Sequence, residues 1–107
     1  MMAIPELTIG EIKYLPRIKI YDTDDPTATV TLTSYVFDVV DNDGTEVQAS
    51  GNCAITGNGT AAVYLYCKVD ATSGFTAGES YQTRITYSDG TETLKLIKPF
   101  KVGDIVL

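Results

Sequence analysis

Short runs of Thr, Val, Ile and Tyr, each alternating apolar with polar residues, repeat along almost the whole chain and are cut at close intervals by Gly, Asn and Asp. Alternation with a period of two lines one face of a strand with apolar side chains, whereas a helix needs them three and four apart. No stretch keeps the helical spacing over a useful length. Pro5, Pro16, Pro26 and Pro99 all fall between runs, where a missing N–H removes no ladder bond. The chain must therefore fold as strands.

Segmentation follows from the turn signals. A first strand is expected over 17–21 with Ile18 and Ile20 inward, followed by an acidic turn over 22–26 and a short run over 28–32. A central strand over 35–40 places Tyr35, Phe37 and Val39 on one face and turns Asp38 to the other. Asp41-Asn-Asp-Gly44 marks a tight turn into a strand over 46–49. Strands over 53–56 and 61–69 flank Gly57-Asn-Gly-Thr60, the strongest hairpin signal present. Strands over 81–88 and 91–97 flank Asp89-Gly90, and a two-residue turn there pairs Ile85 with Leu94 and Thr83 with Leu96. A last strand is expected over 100–106. Seven or eight short strands with turns about every 8–12 residues predict an all-β, immunoglobulin-like sandwich over 16–107. The Cys…Trp…Cys signature of antibody domains is missing, because there is no Trp. An extended N-terminal arm over 1–15 precedes it.

At 107 residues the chain is one domain, long enough to bury roughly two-thirds of its unfolded surface. Its net charge of −6 argues against a nucleic-acid phosphate surface and against an anionic membrane. There is no His, so no Ser–His or Cys–His pair exists and the commonest general base and metal ligand is missing. Two cysteines cannot close a Cys-only zinc site. These absences predict a protein that is not an enzyme, with no catalytic residues, no cofactor and no metal. The N-terminus shows neither a basic nor an apolar signal region, so synthesis and retention in a cytoplasm, or export within a larger assembly, is expected.

Leu32-Thr-Ser-Tyr-Val-Phe-Asp-Val-Val-Asp-Asn-Asp-Gly44, the Asn58-Gly hairpin with Val63-Tyr-Leu-Tyr66, and Phe75-Thr-Ala-Gly-Glu-Ser-Tyr-Gln-Thr-Arg-Ile-Thr-Tyr-Ser-Asp-Gly90 follow one another in this order. The order resembles the small Ig-like domain of tailed-bacteriophage virion proteins, notably the N-terminal domain of upper baseplate proteins, and covers about residues 17–106. The resemblance implies a structural role and brings no catalytic residues. The long C-terminal regions of the baseplate proteins have no counterpart here. A free-standing domain of this kind looks like a capsid-decoration or tail-accessory subunit, made in the host cytoplasm and carried on the virion.

Candidate binding residues come from two places. The arm carries Ile4, Leu7, Ile9, Ile12, Tyr14 and Leu15 outside the sandwich pattern, so they are expected to lie on the domain's own sheet edge or to enter a neighbouring subunit by strand addition. If Val63 and Leu65 face the core, Tyr64 and Tyr66 face outward, as packing for a solvated sheet, as an interface anchor, or as platforms for sugar rings. The expected partners are therefore virion proteins of the capsid, tail or baseplate, or further copies of the chain; a carbohydrate-binding, adhesin-like module is the alternative.

The remaining clusters have plainer readings. Asp41-Asn-Asp-Gly44 lacks the spacing of a calcium loop and suits a tight turn by itself. Alternation turns both Cys53 and Cys67 inward. Yet the register set by an Asn58-Gly59 turn puts Cys53 opposite Tyr64 and Cys67 opposite Ser50. Buried free thiols are expected, and a bridge requires a bulge or a different loop. Arg84 is expected opposite Lys95, and most of the negative charge lies in the first 60 residues, a polarity suited to steered docking.

Overall fold

A computed structural model describes residues 5–104, and every regular element among them is a strand. In chain order these are β1 (Glu6–Thr8), β2 (Ile12–Tyr14), β3 (Ile18–Ile20), β4 (Ser34–Asp41), β5 (Glu46–Asn52), β6 (Ala54–Thr56), β7 (Val63–Tyr66), β8 (Lys68–Asp70), β9 (Ser80–Ser88) and β10 (Thr93–Gly103). One sheet has the order β1-β10-β9-β4-β5, with β1 parallel to β10 and the other pairs antiparallel. The remaining strands pair as β3-β7-β6 and β2-β8. The fold is all-β, and its sheets bury their inner faces in one core, an arrangement compatible with a sandwich.

β2-β8 and β3-β7 are two halves of one ladder. Only Cys67 separates β7 from β8, and its carbonyl accepts a bond from the Leu15 N–H at 2.9 Å across the gap. Opposite it, residues 15–17 hold one residue too many. Tyr14 faces Lys68 and Ile18 faces Leu65, so the register slips by one at Pro16. A bulge is the normal home for a proline inside a ladder, since the extra residue leaves pairing alone.

The core draws on both layers: Leu7, Val39, Ile85, Phe100 and Val102 from the five-stranded sheet, and Val63, Leu65 and Val69 from the smaller ones. Tyr81 opens β9, with its ring 4.8 Å from Phe75 and 5.8 Å from Phe100 between centroids. Its buried hydroxyl accepts the Thr76 N–H at 2.7 Å.

Several expectations change. Within the expected arm, residues 5–15 do not lie outside the fold. Leu7 is 1% exposed in β1, Leu15 is buried beside Cys67, and Ile9 packs against the core. Ile4 lies outside the described residues, as does the end of the strand expected to reach Val106. The run over 28–32 forms only a single bridge, Val30 to Thr60. The last two expected strands are one, β10, which runs through Pro99. Lys101 sends its N–H toward β1, to the Pro5 carbonyl, and position 99 points the same way. Among the described residues no strand pairs with β10 on that side before β1 begins, so the proline removes no ladder bond described there.

Both hairpin registers also move. The β9–β10 loop has four residues, with Ser88 facing Thr93 and Ile85 facing Leu96. A shift of two preserves faces, so Arg84 keeps its side of the sheet but faces Ile97 instead of Lys95. Its charge partner is Asp38 on β4, directly across from it. The β6–β7 register moves by three. Thr56 faces Tyr64 and Ala54 faces Tyr66, so the next step outward brings Cys53 opposite Cys67.

Candidate functional site

The strand carrying β7 and β8 alternates strictly. Val63, Leu65, Cys67 and Val69 point inward, while Tyr64, Tyr66, Lys68 and Asp70 point away from the core. Cross-strand pairing adds their neighbours on the outer face: Lys19 opposite Tyr64, Tyr14 opposite Lys68 and Ile12 opposite Asp70. The bulge at Pro16 flips the parity of the first strand, so Ile12 and Tyr14 before it and Lys19 after it all share this face.

The result is a continuous ladder of rings and cations. The Lys68 ammonium lies 5.7 Å from the Tyr14 ring centre. Tyr14 meets Tyr66 edge-on, with centroids 6.4 Å apart and planes at 83°. The Arg17 guanidinium stacks on Tyr64, 4.0 Å from its centroid, and Lys19 lies 5.3 Å from the centre of Tyr21. A cation within about 6 Å of a ring face is attracted by the ring quadrupole. Tyr66 shares a hydrogen bond with Thr56 Oγ1 at 3.3 Å. That bond first, and Arg17 second, hold its hydroxyl below the usual tyrosine pKa.

Four of the sequence-derived candidates thus come together: Ile12, Tyr14, Tyr64 and Tyr66. Ile12 and Tyr14 remain about half exposed, at 53% and 50%. Leu7, Ile9 and Leu15 belong to the core side and take no part. Arg17, Lys19, Tyr21 and Lys68 complete the ladder and were not among the candidates. Their alternation was readable, but which ring each cation meets depends on the bulge.

The turn carboxylates serve their own backbone. Asp41 Oδ1 accepts the N–H groups of Asp43 and Thr45, both at 2.9 Å. Asp22 Oδ1 accepts those of Asp24 and Asp25, and Asp89 Oδ1 those of Thr91 and Glu92. The two N–H groups hold the Asp89 carboxyl below its ordinary pKa. No family model matches this chain, and no curated protein or solved structure matches it.

Proposed function

We propose that this chain is a non-enzymatic, Ig-like module that attaches to a symmetric protein assembly of a tailed-phage virion, as a capsid-decoration or tail or baseplate accessory protein. Two features support the Ig-like assignment. The order β10-β9-β4-β5 against β3-β7-β6 corresponds to GFCC′ against BED. Tyr81, at the start of the strand corresponding to F, bonds back to the backbone five residues upstream, in the manner of the tyrosine corner of that fold. The virion setting rests on the sequence resemblance.

The observation that carries the binding role is the outward-facing ladder Tyr14–Tyr66–Arg17–Tyr64–Lys19, in which Tyr14, Arg17 and Lys19 are exposed and Tyr64 and Tyr66 are half-buried. Tyr and Arg are among the side chains that most often anchor protein interfaces: Tyr buries a large ring with few rotatable bonds, and Arg offers a planar guanidinium that both stacks and donates hydrogen bonds. Prestacking on Tyr64 restricts Arg17 before a partner arrives, which lowers the ordering cost of binding. Repetition on a symmetric shell converts modest single contacts into firm attachment.

The test is sedimentation of particles from the native source, comparing wild type with a Tyr64→Ala/Tyr66→Ala variant whose fold is checked by circular dichroism. Wild type is expected in the particle fraction and the variant in the supernatant. Equal recovery of both with particles removes the ladder from the attachment surface. Recovery of wild type only as a small soluble species, or with cell envelopes, defeats the virion reading and favours the glycan-binding one.

A further inference from the structure

Cys53 and Cys67 are free, and both are buried. Their backbone bonds reveal the kind of pair they form. The Cys53 N–H donates away from Cys67, to the Tyr35 carbonyl on β4 at 2.9 Å, and the Cys67 carbonyl accepts away from Cys53, from the Leu15 N–H at 2.9 Å. In an antiparallel ladder, opposed residues either bond each other or turn their polar groups outward. The second kind brings the Cα atoms to about 4.5 Å and the side chains closest together. That separation falls within the range of about 4.4–6.8 Å that a disulfide spans. The thiols face each other closely enough to interact: Cys67 is pushed well above the usual thiol pKa by the Cys53 sulfur first and by burial second.

We propose that Cys53 and Cys67 form a latent cross-strand disulfide, reduced where the protein is made and closed by exchange with a small-molecule disulfide in an oxidising medium. One cysteine thiolate attacks a sulfur of the small disulfide, forms a mixed disulfide and expels one thiolate. The second cysteine then loses its proton and attacks the protein-side sulfur, expelling the other thiolate. Two S–H bonds are lost, one S–S bond forms within the protein, and the small disulfide is reduced to two thiols. Burial confines this exchange to folding or to opening of the β6–β7 hairpin.

Position gives the bond a consequence. Cys53 is where the chain leaves the five-stranded sheet: its N–H still bonds β4, and Ala54 already pairs with β7. Cross-linking residues 53 and 67 ties that crossing to the strand beneath it. It also restricts the unfolded chain, raising the folding equilibrium constant about a hundredfold for a loop of this length.

The full chain is refolded from urea in a mixture of oxidised and reduced glutathione, quenched in acid, alkylated after denaturation and analysed by intact and peptide mass spectrometry. The expected product is a monomer lacking two hydrogens, with residues 53 and 67 in one linked peptide and a higher urea midpoint than the dithiol form. In Cys53→Ala and Cys67→Ala the difference between oxidising and reducing conditions disappears. Fully alkylated thiols, stable glutathione adducts, disulfide-linked dimers, or a linked monomer less stable than the dithiol each overturn the proposal, and the wild-type measurement decides even if a variant does not fold.

Discussion

Thr83 is fully buried in β9, and its Oγ1 has no hydrogen-bond partner among the described residues. A buried hydroxyl left unpaired carries its desolvation penalty with nothing in return, whereas an isosteric methyl carries none. Thr83→Val is therefore expected to leave the urea midpoint unchanged or raise stability by up to about 1 kcal/mol; a loss of that size instead reveals a bonded hydroxyl. Asp38 is the opposite case. Arg84 Nε donates to its Oδ1 at 2.9 Å, and the guanidinium holds the carboxyl below its ordinary value. A folded pKa below the unfolded one means the pair stabilises fully above the unfolded value, about 3.9, and loses that contribution as pH falls through the folded value. Comparing wild type with Asp38→Asn across that acid range should show less stability lost by the variant; parallel curves mean the pair contributes nothing. Alternation in 35–40 had already turned Asp38 away from the core. Its partner was hidden because β4 and β9 pair across 46 residues, with no turn between them to set the register.

At the scale of elements, the β6–β7 hairpin shows what the sequence contained and what it concealed. Inward Cys53 and Ile55 can face inward Val63, Leu65 and Cys67 only if the paired numbers sum to an even value, and a two-residue turn at Asn58-Gly59 makes that sum odd. The conflict was visible in the pattern, but its resolution depends on a contact distant in sequence. Asn58 does not centre the turn: its Oδ1 accepts the Leu32 N–H at 2.8 Å and its Nδ2 donates to the Leu32 carbonyl at 3.1 Å. Gly57, at φ +71°, bends the chain where any Cβ would meet the Ala62 carbonyl. The loop thus spans 57–62 and pins the preceding segment, which propensity read as a strand. Asn58→Ala removes both bonds and leaves two backbone groups of Leu32 unpaired, a loss expected near 2 kcal/mol by urea unfolding. No loss would mean that water replaces the amide and that Val30 alone holds the segment. By contrast, β4 and β9, central and strongly alternating, were legible almost to the residue, because burial on one face fixes such strands without help from distant loops.

For the whole molecule, the decisive question is whether residues 1–15 bind a partner or build the fold. Sequence alone could not separate these, because apolar residues alternating along an extended segment serve a neighbour's sheet edge as well as the chain's own. The structure assigns the described part, residues 5–15, to both layers. β1 covers part of the β10 edge, β2 covers β8, and Leu7 and Leu15 enter the core from opposite sides of the crossing. Removing residues 1–15 opens two sheet edges and exposes the core at once. Truncating one buried Leu costs about 2–5 kcal/mol, and deleting two of them with their strands approaches the roughly 5–15 kcal/mol that holds a domain together. The deletion is therefore expected to yield unfolded or aggregated protein, read by loss of a cooperative thermal transition. Tyr14→Ser, on the exposed face of the same segment, should keep that transition and weaken particle attachment alone. A truncated chain that still melts cooperatively would make β1 and β2 accessory strands and return residues 1–15 to the partner surface; the contrast between these two variants assigns fold to the inner face of the segment and binding to its outer face.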